Sequence, residues 1–229
     1  GTNPELVLTY EQEDGPGDIQ VDPYADRLYF SGFADLTGLF SCSLSNPGTS
    51  STENLFGQPI GTGSAAEGIY RLQLYGPQTE TIHTFPRDDD TPYGIAVDSC
   101  EERIYYTMAN SSPPPSPVAP ADGEVGSVDY DGSNAKTFFY KVGFSPGGVT
   151  YDNKEKRVYW VDLGTAASSY ADAGVWRTSR TDLPEVTYSL VLPASSFPVT
   201  PSLFRISLDS YNDKLYIADT ASGSIYRTN

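Results

Sequence analysis

The strongest constraint on this chain is a repeated unit of two short runs. Its clearest copy is Gly148-Val149-Thr150-Tyr151-Asp152-Asn153-Lys154-Glu155-Lys156-Arg157-Val158-Tyr159-Trp160-Val161-Asp162. An apolar run ends in Asp, a polar turn follows, and a second run of β-formers ends in Asp. The pattern recurs as Ile19-Gln20-Val21-Asp22 with Arg27-Leu28-Tyr29-Phe30, and as Gly94-Ile95-Ala96-Val97-Asp98 with Arg103-Ile104-Tyr105-Tyr106. The last copy is Ile206-Ser207-Leu208-Asp209 with Lys214-Leu215-Tyr216-Ile217-Ala218-Asp219. The leading aspartates Asp22, Asp98, Asp152 and Asp209 are 76, 54 and 57 residues apart. Alternation with β-branched and aromatic residues reads as strands. Short strands repeated at this kind of period point to a radial array of small sheets.

Each unit continues. Gly68-Ile69-Tyr70-Arg71, Gly174-Val175-Trp176-Arg177 and Ser224-Ile225-Tyr226-Arg227 match one another, with Gly126-Ser127-Val128-Asp129 as a looser copy. These are third strands, and residues 79–85, 135–142 and 185–192 supply fourth strands. The last unit reaches Asn229 without a fourth strand. The run Glu5-Leu6-Val7-Leu8-Thr9-Tyr10 precedes the first unit and resembles Glu185-Val186-Thr187-Tyr188-Ser189-Leu190. The expectation is an all-β chain: one β-propeller domain over residues 1–229, four-bladed, with units at about 18–85, 94–142, 148–192 and 203–229. Strand 5–10 would close the ring and remove its free edges. Gly38 to Leu44 also has strand character, so a degenerate fifth blade within 34–66 stays open, as does a sandwich.

Tyr159-Trp160-Val161-Asp162 and Tyr216-Ile217-Ala218-Asp219 resemble the YWTD repeats of low-density-lipoprotein-receptor-type propellers. Tyr29-Phe30-Ser31-Gly32 and Tyr105-Tyr106-Thr107-Met108 lack the final Asp, while Asp129-Tyr130-Asp131-Gly132 resembles the Asp-Gly turn after that family's third strand. The resemblance implies a propeller, usually of six blades, so four units is a departure.

Fourteen basic residues against thirty acidic ones give a formal net charge of −16. That excludes a phosphate-backbone binder, which needs a basic surface. No apolar run approaches the roughly 20 residues of a membrane helix. Cys42 and Cys100 are the two cysteines, and the expectation is a disulfide between them. Asn110-Ser111-Ser112 is a glycosylation sequon beside a proline-rich stretch. Together these suggest a secreted, monomeric glycoprotein.

The four turn aspartates recur at equivalent places, so they read as turn-closing groups rather than catalytic ones. The residues four before them are Asp18, Gly94, Gly148 and Arg205. The glycines permit close approach at a narrow axis, and Asp18 and Arg205 are candidates to pair across the seam. His83, the sole histidine, reads as a packed strand residue. In a meander the long loops emerge at one end, and binding residues collect there. That end carries Asp88, Asp89 and Asp90, the candidate calcium ligands. The functional expectation is a binding or interaction module for a protein or glycan. The alternative is a calcium-dependent hydrolase or lactonase with its metal near the axis.

Overall fold

The computed structural model describes residues 16–22, 27–32, 68–73, 79–84, 90–110, 122–142, 144–164 and 171–228. Over these residues the chain is all-β, in four antiparallel sheets. The first sheet runs β1 (Pro16–Asp22), β2 (Arg27–Gly32), β3 (Gly68–Gln73), β4 (Thr79–Thr84). The second runs β5 (Asp90–Asp98), β6 (Arg103–Asn110), β7 (Asp122–Asp129), β8 (Lys136–Val142). The third runs β9 (Pro146–Asp152), β10 (Arg157–Asp162), β11 (Gly174–Thr178), β12 (Tyr188–Pro193). The fourth has β13 (Leu203–Asp209), β14 (Lys214–Asp219) and β15 (Ser224–Thr228). Every sheet is an up-and-down meander in chain order, so the turns after first strands share one end and the long second-to-third-strand loops share the other.

The first strands lie side by side in the order β1, β5, β9, β13. Their approach is set by glycine. A Cβ on Gly94 would stand 2.9 Å from the Val149 nitrogen and 3.0 Å from the Gly147 oxygen. A Cβ on Gly148 would stand 3.0 Å from the Arg205 Cα. Backbone meets backbone there, as the sequence pattern suggested. Each first strand also carries a bulge at this point: between Pro16 and Asp18, between Pro92 and Gly94, opposite Trp160 to Asp162, and between Leu203 and Arg205. The residue at the start of three of these bulges is proline or is followed by paired glycines, chemistry that suits a locally interrupted ladder. The bulge leaves carbonyls free of the ladder. Gly147 O accepts from Thr107 Oγ1 of β6, and Tyr93 O accepts from Arg205 Nη1 at 2.7 Å.

Alternation along the strands then builds a core between successive sheets. Tyr29 and Ile69 meet Ile95, Ile104, Tyr106 and Val128. Ala96, Tyr105, Val125 and Phe139 meet Val149, Val158 and Trp160. Val161 and Val175 meet Ile206, Leu215 and Ile217. The middle junction is aromatic: Phe139, Phe144 and Trp176 surround Trp160, which is fully buried. The indole nitrogens of Trp160 and Trp176 have no partner among the described residues, so these rings act by packing alone and not through the polar tip expected of them.

On the outer faces of the first and fourth sheets, Ile19 is 55% exposed and Ile225 75% exposed. Residues 5–10, the expected closing strand, lie outside the described residues, as does the strand expected at 38–44. Cys100 is a free, exposed thiol on the β5–β6 turn, where Asn153 Nδ2 donates to its sulfur at 3.4 Å, so the expected disulfide is not formed. Cys42 lies outside the described residues.

The glycine contacts predict that Gly94→Ala forces β5 and β9 apart and lowers stability by about 1–3 kcal/mol, the usual cost of overpacking. Urea denaturation measures it. A midpoint equal to that of the unmodified chain would show that the inner strands give way freely.

Candidate functional site

The turn aspartates are structural. Asp98 Oδ1 accepts from the backbone N–H of Cys100 at 3.0 Å and of Glu101 at 3.3 Å. Asp152 Oδ1 accepts from Lys154 at 3.0 Å and Glu155 at 3.1 Å. Asp209 Oδ1 accepts from Tyr211 and Asn212, both at 3.1 Å. One carboxylate oxygen thus closes the same turn three times, and Glu102, Lys156 and Asp213 take the left-handed position before the next strand. Asp22, Asp98 and Asp152 are buried, which leaves them no access to a substrate.

The second oxygen of Asp22 ties two sheets, whereas that of Asp209 accepts from Asn212 Nδ2 of its own turn at 2.7 Å. Tyr130, whose backbone N–H donates to Glu102 O, sends its hydroxyl to Asp22 Oδ2 of the first sheet at 2.9 Å. Burial, reinforced by that bond, raises the Tyr130 pKa and keeps it a donor. Thr181 is its counterpart in the third sheet: its N–H donates to Lys156 O and its hydroxyl lies 3.3 Å from the Tyr105 hydroxyl of the second. At the third junction the same place is a charged cleft of about 390 Å³, lined by Asp152, Lys154, Arg157, Tyr159, Arg177 and Asp213 among others.

The opposite, long-loop end is pinned by the aspartates that close second strands. Asp162 Oδ1 accepts from Gly164 N–H at 2.7 Å, and Leu163 N–H donates to Ser145 O at 3.0 Å. Asp219 Oδ1 accepts from Ser202 and Ala221, at 2.7 and 3.0 Å, and its Oδ2 accepts from Ser222 Oγ at 2.6 Å. Burial alone would raise the Asp219 pKa, but these donors together hold it below the usual carboxylate range. Asp219 therefore fastens the loop after its own strand to the loop entering the same sheet, a link that the Leu163 backbone makes beside Asp162.

At the axis, Asp18 Oδ2 accepts from Ile95 N–H at 3.0 Å, and Arg205 reaches Tyr93 O from the far side. Burial raises the Asp18 pKa, while the Ile95 bond and the Arg205 charge oppose it. The expected partnership of Asp18 with Arg205 is thus electrostatic, with both groups anchored on β5. Arg205 also lies 4.6 Å over the Phe204 ring, which is edge-on to Tyr93.

Among the candidate calcium ligands, Asp90 opens β5 at the long-loop end, while Asp88 and Asp89 lie outside the described residues. Among the described residues no three His, Cys, Asp or Glu side chains gather into a metal set. Asn110 ends β6, and the rest of its sequon lies outside the described residues. His83, on β4, stacks on Tyr106 of β6 at 5.4 Å between ring centroids. Tyr106 and Thr137 both donate to Glu124 Oε1, at 2.9 and 2.8 Å. This His–Tyr–Glu–Thr group joins two sheets and was invisible in the sequence, because its members come from four strands. No helix of the described residues is long and apolar enough to cross a membrane.

No protein-family model matches the chain. Protein cueball of Drosophila willistoni is 31% identical over 75 residues, a match spanning 33% of this chain and 10% of that protein. Its Drosophila sechellia counterpart is 26% identical over 95 residues, 41% of this chain and 13% of that protein. Among solved structures, a chain of the nidogen/laminin complex superposes with a TM-score of 0.62 at 14% identity, covering 93% of this chain and 60% of that one. The Malassezia sympodialis allergen Mala s 1 superposes with a TM-score of 0.52 at 13% identity, covering 95% and 64%. At these identities the structures share the fold.

Two predictions follow from the site geometry. Replacing Asp152 with Ala leaves two turn N–H groups without their acceptor and costs about 1–3 kcal/mol; a melting temperature equal to that of the unmodified chain would remove the turn-closing role. Burial lowers the His83 pKa, with the Glu124 charge opposing. The unfolded chain therefore binds the proton more tightly, and stability present above the ordinary histidine pKa of about 6.5 is lost as pH falls through it. His83 is the sole histidine, so His83→Gln should flatten the melting temperature across that window. An equal slope in both proteins would contradict the assignment.

Proposed function

We propose that the four sheets are blades of a single-domain β-propeller, and that the protein is a secreted binding module taking a protein or carbohydrate ligand at its long-loop end. The observation that carries this reading is the use of strand-end carboxylates. Asp162 and Asp219 fasten the loop-bearing end to its own sheets, while Asp98, Asp152 and Asp209 are spent on closing the opposite turns. The result is a rigid rim carrying loops of unequal length and sequence, the arrangement on which recognition surfaces are built. The acidic balance favours a cation or a hydroxyl-rich neutral ligand over a polyanion. A fold shared with a chain of a two-protein complex supports the binding reading over a purely structural one. Asp88, Asp89 and Asp90 are proposed as the cation-contacting part of that end.

The test is a binding panel of glycans and purified proteins, laminin included, with and without calcium. A ligand found on the unmodified chain should lose at least most of its affinity when residues 111–121 or 165–170 are replaced by a Gly-Ser linker of equal length. It should bind Asp209→Asn as it binds the unmodified chain. A ligand indifferent to both loop replacements, yet lost on altering the Asp209 turn, would move the site to the other end. Calcium heats identical in the unmodified chain and in the D88N/D89N/D90N variant would discard the cation reading.

A further inference from the structure

The turn ends of the second and third sheets repeat one another, except that the third lacks a charge partner. In the second sheet Arg103 opens β6 opposite Asp129 of β7. Its Nε and Nη2 both meet Asp129 Oδ1 at 2.7 Å. In the third sheet Arg157 opens β10 at the same place. Tyr159 pairs with Arg177 there, and the same register carried on toward the turn sets Ser179 where Asp129 stands in the second sheet. Ser179 Oγ accepts from Thr187 N–H at 2.9 Å, so that hydroxyl is engaged in its own turn. The third sheet thus keeps the guanidinium and has lost its carboxylate.

A second guanidinium joins it. Opposite Tyr105 the second sheet has Ser127, whereas opposite Tyr159 the third has Arg177. Arg157 and Arg177 both line the cleft of about 390 Å³ between the third and fourth sheets. Neither makes an ion pair among the described residues, and Arg157 Nε is buried without an acceptor. The acids of the cleft are engaged elsewhere or point outward. Asp152 Oδ1 accepts from two turn N–H groups, Asp213 pairs with Lys154 Nζ at 3.1 Å, and Glu155 is exposed. A buried charged donor with no acceptor is costly, so an acceptor placed there is strongly favoured. Val191, Leu208 and Leu215 give the same cleft an apolar wall, and its volume is that of a small-molecule site.

We propose that this cleft binds a small molecule carrying one carboxylate on an apolar body. Arg157 and Arg177 take the carboxylate, and the body lies against Val191, Leu208 and Leu215. The class follows from the neighbouring repeat: a carboxylate is the group that Arg103 holds at the equivalent place, and a guanidinium fork matches it with parallel hydrogen bonds. A polyanion is disfavoured, because the chain carries a net charge of −16 and Asp152, Glu155 and Asp213 flank the arginines. The site lies at the turn end, away from the loop end proposed above, and stands on its own observations.

Isothermal titration of the whole chain with hexanoate tests this, with hexanol and inorganic phosphate as comparisons. Hexanoate should bind at a single saturable site, more tightly than either comparison, and added salt should weaken it by screening. Arg157→Gln and Arg177→Gln should each cost about tenfold or more in affinity, the usual value of a hydrogen bond to a charged group. Ser179→Asp restores the missing carboxylate from within the chain. It should abolish hexanoate binding while the protein still melts cooperatively, and it keeps both arginines should their replacement impair folding. Four results overturn the proposal: no hexanoate bound at millimolar concentration; hexanol or phosphate bound as tightly as hexanoate; either folded arginine variant binding hexanoate as the unmodified chain does; or Ser179→Asp leaving that affinity unchanged.

Discussion

Everything in this structure depends on burying one sheet face against the next. A lone four-stranded meander has two faces and no core of its own, and each strand alternates side chains between them. Stability comes when the Ile or Val three residues before a turn aspartate enters the gap left by the preceding sheet. The glycines of the bulged inner strands then set how closely those gaps can close. At the middle junction the gap is filled by aromatic rings around Trp160, and at the others largely by branched aliphatics.

Polar chemistry is subordinate to that packing and serves it. A carboxylate buried at a strand end is costly unless its oxygens are satisfied. Here the backbone donors of a short turn satisfy one oxygen, and a hydroxyl from the next sheet satisfies the other where one reaches it. The Tyr130 bond to Asp22 does both jobs at once: it satisfies the carboxylate and fixes one sheet's position on the other. The same residue type at the other end of the sheets, Asp162 and Asp219, holds loops instead of turns. A single side chain therefore determines the rigidity of both ends, and only the loop end is left free to vary.

The strand pattern was legible in the sequence because alternation and turn chemistry are local. The second, third and fourth strands fell close to where the repeats placed them, and the turn aspartates do what a repeated strand-end carboxylate does. β12 is an instructive exception. Its pattern suggested a start near Glu185, but the strand begins at Tyr188 because residues 179–187 form the turn that carries Thr181 to Tyr105. A contact with a neighbouring sheet outweighed local β-propensity there.

What the sequence determined by itself was therefore the all-β character, the four-part repeat, the turn-closing carboxylates and the need for glycine at Gly94 and Gly148, since each of these is set by neighbours within a few residues. The tertiary structure decided the rest. It placed His83 beside Tyr106 and Glu124, directed Arg205 onto a carbonyl of β5, and kept Cys100 as a free thiol beside Asn153.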